Sequence, residues 1–336
     1  MSNLLIKKGY ESKLNIVDTE IAVKKLKDYF QSALSKALQL TRVSAPLFVF
    51  PETGLNDNLN GVERPVSFDM KEQGSKECQI VQSLAKWKRN ALKKYGFTSG
   101  NGLYTDMNAI RRDEETDNIH SIYVDQWDWE RILEKSDRNI AFLKSIVTKI
   151  YQACLDTEAF INAEYPMFTK KLPETIHFIT SQELLDLYPG MTTKQREDAY
   201  LKENKAAFIM QIGGELSDGS KHDGRAPDYD DWSLNGDIML FNPVLDAAFE
   251  ISSMGIRVDE KTLLAQLEIA GCNDRLAFPF HDDIINGRLP YTIGGGIGQS
   301  RLCMFFLEKL HIGEVQASVW KESDLKICAE NGINLL

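Results

Sequence analysis

Gly294-Gly295-Gly296-Ile297-Gly298-Gln299-Ser300-Arg301-Leu302 is a glycine run that ends in an arginine on a predicted helix. Alone it is weak evidence, but it has a counterpart upstream. Ile110-Arg111-Arg112-Asp113-Glu114 is a basic turn after one strand, and a strand-like run follows it over 120–130. Together the two segments read as the halves of an ATP site. Arg111 can pair with an α-phosphate through its bidentate fork, and Arg301 can lie flat against adenine.

The 336 residues make one large domain or two ordinary ones, and 43% hydrophobic with 26% charged residues is the make-up of a soluble globular protein. No apolar run reaches the roughly 18 residues of a membrane span, and the N-terminal apolar core is too short for a signal peptide. A net charge of −10 argues against extensive contact with a nucleic-acid backbone. Cys78, Cys154, Cys272, Cys303 and Cys328 are widely spaced with no Cys-x-x-Cys pair, which predicts reduced, buried thiols in a cytoplasmic protein. The scattered histidines speak against zinc, and none sits in a motif of its own.

Apolar residues from Leu26 to Leu38 recur at helical spacing, so 18–40 reads as a long core helix capped by Asp18 or Thr19, with a strand over 41–45. Residues 54–61 read as a polar loop, and 62–80 as strand material broken at Gly74. A short basic helix over 83–94 carries Lys86, Lys88 and Arg89 on what reads as a solvated face. In the strand over 119–129, period two places Val124, Gln126, Asp128 and Glu130 on one side. Helical pattern covers 130–163, strands are expected over 175–180 and 208–212, and Thr192-x-x-Gln195 matches a capping box. The loop over 217–233 is crowded with aspartates. Strands over 237–241 and 249–258, a helix over 260–270 and a last clear helix over 299–310 complete the reading.

Asp237 and Glu250 fall in adjacent predicted strands. As oxygen ligands they could hold Mg²⁺ against ATP phosphates; equally they could be surface acids at strand ends. Glu250 and Ser253 have opposite strand parity, so a shared site needs a bulge near 252–255. A small amino-acid substrate needs an anion for its ammonium, which Asp128 or Asp230 could supply, and cations for its carboxylates, which Lys88 and Arg257 could supply. Asp57 could close over such a site or simply stabilise a turn. No Walker P-loop is present, and the glycine run lacks the βαβ context of a dinucleotide fingerprint.

Longer segments carry a family resemblance. They are Gly54-Leu55-Asn56-Asp57-Asn58-Leu59, Gln82-Ser83-Leu84-Ala85-Lys86-Trp87-Lys88-Arg89, Gly102-Leu103-Tyr104-Thr105-Asp106-Met107, Tyr123-Val124-Asp125-Gln126-Trp127-Asp128-Trp129-Glu130, Arg225-Ala226-Pro227-Asp228-Tyr229-Asp230-Asp231-Trp232, Leu234-Asn235-Gly236-Asp237 and Glu250-Ile251-Ser252-Ser253-Met254-Gly255-Ile256-Arg257. With the glycine–arginine run, these make the chain, from about 13 to 320, closely resemble the ammonia-dependent asparagine synthetases, or aspartate–ammonia ligases, relatives of the class II aspartyl- and asparaginyl-tRNA synthetases.

The resemblance implies an α+β fold, a class II aminoacyl-tRNA synthetase-like catalytic core with an antiparallel β-sheet flanked by helices. It implies one catalytic domain over 1–336, a helical insertion around 135–205, no anticodon-binding domain, and a cytoplasmic homodimer formed through the first long helix. The implied reaction amidates L-aspartate with ammonia and ATP through a β-aspartyl-AMP intermediate, releasing AMP and pyrophosphate. By position, Asp57, Ser83, Lys88, Gln126, Asp128, Asp230, Ser253 and Arg257 match the aspartate pocket. Arg111, Ser121, Val124, Asp237, Glu250, Gly294, Gly295, Gly296 and Arg301 match the nucleotide site, with Mg²⁺ on Asp237 and Glu250. Arg111, Asp57 and Gln126 form the expected catalytic set, Asp57 as the base that deprotonates ammonium. Some members carry a longer insertion after the tryptophan–serine of the acidic loop, whereas here Ser233 runs directly into Leu234. Ser2 in place of an N-terminal catalytic cysteine, with no glutaminase partner domain, disfavours glutamine as nitrogen donor. Neither nucleic acid nor membrane is an expected partner.

Overall fold

The computed structural model describes residues 4–57 and 63–336, so the expected loop over 54–61, with Asn58 and Leu59, lies partly outside the described residues. Helix α1 (Ile16–Leu38) begins earlier than expected because the Asn15 side chain accepts the Asp18 N–H at 2.9 Å. It ends at Gln39, whose left-handed backbone turns the chain into β1 (Leu40–Arg42), a shorter strand than the sequence predicts. Ala22, Leu26, Phe30, Leu34 and Leu38, four apart, are fully buried, each large one stabilising by about 1.5–3 kcal/mol.

Strands β2 (Phe48–Val49), β3 (Ser67–Met70) and β4 (Lys76–Ile80) form a small antiparallel sheet, with Gly74 in the left-handed region at the β3–β4 turn. Helix α2 (Ala85–Lys94) follows, then β5 (Gly102–Ile110) and β6 (Tyr123–Ile132). The strand-like run thus starts later than expected and continues past 130. Helix α3 (Ile140–Glu164), β7 (His177–Thr180), α4 (Ser181–Leu187) and α5 (Thr193–Asn204) lead to β8 (Ala206–Met210); α5 starts at the Thr192–Gln195 capping box. The stretch expected as a helical insertion therefore also contributes an edge strand, β7, to the main sheet. The chain continues through β9 (Asp230–Asn242), β10 (Ala247–Arg257), α6 (Glu260–Ile269) and α7 (Pro279–Ile285) to β11 (Thr292–Gly298), α8 (Gln299–Phe306) and α9 (Glu322–Glu330). Helix α9 is not foreseen in the sequence, and α8 is shorter than expected.

The main sheet has the order β1-β5-β6-β11-β10-β9-β8-β7. It is antiparallel except at its two margins, where β1 pairs parallel with β5 and β7 with β8. Strand β11 joins the β1-β5-β6 half to the β10-β9-β8-β7 half. One face packs on α1, α3 and α8, and the Phe30 and Trp127 rings lie 4.8 Å apart there. Period two in β6 sends Trp127 and Trp129 into that core and Gln126, Asp128 and Glu130 to the opposite face. Four cysteines are buried and Cys272 half-buried, all as free thiols.

Among the described residues no helix is long and apolar enough to cross a membrane.

Candidate active site

The solvated face predicted for α2 is wrong in the part that matters. Lys86, Lys88 and Arg89 are buried, each with partners from distant segments. Lys86 Nζ donates to Asp228 Oδ2 at 3.1 Å, joined there by Arg275 Nη1 at 3.0 Å and His281 Nε2 at 2.9 Å. Asp228 is fully buried, and although burial raises its carboxyl, Lys86, His281 and Arg275 bring it well below the usual carboxylate range. This knot ties α2 to the acidic loop and to the segment around α7. Arg89 donates to the carbonyls of Pro290 and Val258 at 2.9 and 2.8 Å.

Lys88 points the other way, onto the floor of a cavity of about 460 Å³ on the sheet face opposite α1. Its ammonium donates to Asp128 Oδ1 at 2.7 Å and to the Gly295 carbonyl at 2.9 Å. Asp128 Oδ2 is buried and has no partner among the described residues. An acceptor stranded in this way is costly unless a ligand completes it.

Arg257, at the end of β10, is held by two buried carboxylates. Its Nε and Nη2 donate to Glu130 at 3.0 and 2.7 Å, and its Nη1 to Asp230 Oδ1 at 2.5 Å. Thr292 Oγ1 donates to Glu130 at 2.6 Å, and the Tyr229 ring lies 5.6 Å from the guanidinium. Burial would lower the Arg257 pKa, but Glu130 and Asp230 lift it above the ordinary arginine value. The glycines opposite make room for this. Gly294 pairs with Glu130 and Gly296 with Asp128 across β6–β11. A Cβ on Gly294 would lie 1.9 Å from Glu130 Oε2, and one on Gly296 would lie 2.3 Å from Gln126 Oε1.

The expected bulge in β10 is present, displaced from its predicted place. Register shifts fall between Glu250 and Ser252 and again between Gly255 and Arg257. The first restores phase between Glu250 and Ser253, and both line the cavity. Arg301, on the first turn of α8, donates to the Glu250 carbonyl at 3.1 Å and lies 3.5 Å from its carboxylate. Arg111 continues the β5–β6 ladder, its N–H donating to Ile122 at 2.9 Å, and projects from the end of β5.

Asp57, Ser83, Lys88, Gln126, Asp128, Asp230, Ser253 and Arg257 all line this one cavity, as do Arg111, Ser121, Val124, Glu250, Gly295, Gly296 and Arg301. Asp230 stands there as a partner of Arg257. Ser83 accepts the Ala85 N–H at 3.1 Å at the start of α2, and Ser121 exchanges a hydrogen bond with Ser318 at 2.9 Å. Two expected residues are absent from the wall. Gly294 lies beneath Glu130 and Arg257 rather than under the residues expected for the nucleotide. Asp237 lies behind Arg225, whose Nη2 donates to Asp237 Oδ1. Burial raises the Asp237 carboxyl to about 7, with Glu250 and Asp223 adding to the rise and Arg225 opposing it. Glu250 ends below its ordinary value: burial lifts it, while Arg301, Arg225 and Arg111 pull it down further.

Sequence reasoning missed Glu130, Arg225, Tyr229 and His120 as site residues. His120 lines the cavity with Nδ1 3.0 Å from Asp117. Because that carboxylate only accepts, the neutral ring carries its proton on Nδ1 and leaves Nε2 as the acceptor. The sequence signal for this pair is the spacing Asp117-x-x-His120 ahead of β6.

A family model described as aspartate–ammonia ligase matches residues 17–332. The chain is 62% identical over 336 residues, all of both chains, to the aspartate–ammonia ligase of Ruminiclostridium cellulolyticum. It is 54% identical over 334 residues, 99% of this chain and 100% of the relative, to that of Pediococcus pentosaceus. Among solved structures, asparaginyl-tRNA synthetase from Pyrococcus horikoshii complexed with asparaginyl-adenylate superposes with a TM-score of 0.66 at 16% identity, covering 90% of this chain and 70% of the other. A putative aspartyl-tRNA synthetase from Leishmania major superposes with a TM-score of 0.59 at 13% identity, covering 91% and 66%. These structures share the class II synthetase catalytic fold.

Proposed function

The chain belongs to the aspartate–ammonia ligase family, and we propose that its cavity makes L-asparagine from L-aspartate, ammonia and ATP through a β-aspartyl adenylate. The observation that carries the proposal is the pairing of a stranded buried acceptor, Asp128 Oδ2, with two buried cations, Lys88 and Arg257, beside a second, arginine-rich half containing Arg111 and Arg301. The first half suits a zwitterion with an extra carboxylate. The second suits a nucleotide.

In this reading Asp128 accepts the substrate ammonium. Lys88 and Arg257 bind its carboxylates, with Gln126, Ser83 and Ser253 completing the pocket. The side-chain carboxylate attacks the α-phosphorus, the bond to the β-phosphate breaks, and pyrophosphate leaves. Arg111 stabilises the charge that develops on the α-phosphate, Arg301 stacks on adenine, Ser121 and the Val124 backbone border the nucleoside, and Gly295 and Gly296 form the floor. Ammonia then attacks the β-carbonyl carbon and AMP leaves. Asp57, buried on the cavity wall, takes the proton from ammonium as general base. Asp237 and Glu250 fit Mg²⁺, since they are hard oxygen donors that repel one another and a divalent cation relieves that repulsion. Bound Mg²⁺ supplies neutralisation of phosphate charge; for Asp237 to join it, Arg225 must yield its contact. The synthetase of this fold complexed with an aminoacyl-adenylate supports the intermediate. We assign one catalytic unit, with the α1 residues Ile16, Val17 and Ile21, all exposed, at a contact between two copies; sedimentation velocity tests the dimer.

Product analysis tests the reaction. With aspartate, Mg-ATP and ammonium chloride at pH 8, asparagine and AMP should accumulate in equal amounts. Formation of ADP, or ATP–pyrophosphate exchange without asparagine, contradicts the proposal. In the same assay Asp57→Asn should lower the ammonia-dependent rate by about a hundredfold or more. An unchanged rate with weakened aspartate affinity would remove Asp57 from the base role.

A further inference from the structure

Asp125 borders the cavity, but from the face of β6 opposite to Gln126, Asp128 and Glu130. It shares parity with Trp127 and Trp129 and so points toward the helices, yet it is a buried carboxylate at the end of an apolar layer. Four donors converge on it. Oδ1 accepts the Ser300 N–H and the Gln316 amide, both at 3.1 Å, and Oδ2 accepts the Ser300 hydroxyl at 2.8 Å and the Lys27 ammonium at 3.0 Å. Because a carboxylate only accepts, the Gln316 side chain must present its NH₂ to it, which fixes that amide's orientation.

These donors have a common destination. Helix α8 has no side-chain cap of its own, since its N-cap is Gly298. A Cβ at that position would lie 3.2 Å from Cβ of Arg301, so a capping side chain there would crowd the arginine's arm. Asp125 supplies the missing acceptor from the neighbouring strand β6, and its negative charge faces the positive end of the helix. Gln299 anchors the same turn by donating to Asp106 at 3.0 Å. Arg301 is the residue after Ser300, so the direction in which it leaves the helix is set by this turn.

We propose that Asp125 is a positioning residue for the nucleotide: with Lys27 and Gln316 it caps α8 from the core side of the sheet, fixes the pose of Arg301, and through Arg301 sets the affinity for ATP. The inference rests on the reading of Arg301 as the residue that stacks on adenine. Lys27 belongs to α1, so the same contact links that long helix to the nucleotide half of the cavity.

Titration calorimetry on the whole protein separates the two ideas. Mg-ATP is titrated without aspartate, so no adenylate can form, and aspartate is titrated alone. Asp125→Asn should weaken Mg-ATP binding about tenfold and leave aspartate binding within about twofold, a split that a general loss of structure does not produce. Lys27→Met should act in the same direction and less. Adding Asp125→Asn to Arg301→Ala should change ATP affinity no further, because both act through one group. Equal effects of Asp125→Asn with and without Arg301, or no effect while Arg301→Ala weakens ATP binding, overturns the positioning role and leaves the adenine assignment intact. Unchanged ATP affinity in Arg301→Ala overturns both. Should Asp125→Asn fail to fold, Lys27→Met and Ser300→Ala, which keep the carboxylate, carry the same comparison.

Discussion

Lysine in place of Arg257 should lower kcat/KM for aspartate by about a hundredfold to a thousandfold. The arginine fork serves two carboxylates at once, Glu130 through Nε and Nη2 and Asp230 through Nη1. One ammonium cannot span both, so one carboxylate, 0% or 1% exposed, is left without its cation. That loss costs up to about 3–5 kcal/mol of stability. The pH dependence identifies the cause. In the native protein burial raises the Glu130 carboxyl, but Arg257 outweighs it and holds it below its ordinary value. Its contribution is therefore complete above the unfolded carboxylate pKa and is lost only as pH falls through the lower folded value. Without the fork, burial wins and the carboxyl rises, so the variant should lose stability as pH rises from about 5 to 8. Melting temperatures across that range, with steady-state kinetics at saturating ATP, measure both effects. A loss under tenfold with a flat pH profile would show that the fork is dispensable.

Alanine at Gly294 should reach the same cluster by a steric route. Its Cβ would sit 1.9 Å from Glu130 Oε2 and 2.6 Å from Arg257 Nη2, so the ion pair must part. Overpacking of this kind costs about 1–3 kcal/mol, and we expect aspartate affinity to fall by at least about a hundredfold while Mg-ATP affinity changes little. The adjacent Gly295→Ala is the control. Its Cβ would meet Met254 Cβ at 2.5 Å and the Ser253 carbonyl at 2.7 Å, between strands. That lesion should lower the melting temperature and weaken both ligands together. A Gly294→Ala protein that binds aspartate normally would show that the Glu130–Arg257 contact is not needed for recognition.

Much of this was legible because it obeys short-range periodicity. The alternation in β6 separates Gln126 and Asp128 from Trp127 and Trp129 without reference to any other strand. The parity conflict between Glu250 and Ser253 called for a bulge, although its place depends on β9 pairing, which the β10 sequence does not carry. The basic residues of α2 were misread because their partners are far along the chain: Asp228 is 142 residues from Lys86, and Gly295 is 207 from Lys88. Isolated on a helix, such lysines look like surface. Asp237 was rightly placed in a strand beside Glu250, but nothing local shows that Arg225, 12 residues earlier, folds back over it. Asp125 was hidden inside a motif whose other polar members face the site.

The place of β11 in the sheet has a consequence for how the molecule comes into being. It lies between β6 and β10 but occupies residues 292–298, after every other strand of the sheet in chain order. Until it emerges, the three strands made early and the four made later have no hydrogen-bonded edge in common, and β6 and β10 each expose one. Closing the sheet is a long-range step that bears its chain-entropy cost late, with edges open to wrong partners in the meantime. The glycines that give the cavity its room arrive in that same strand, so the newborn chain gains its sheet and its pocket in one event.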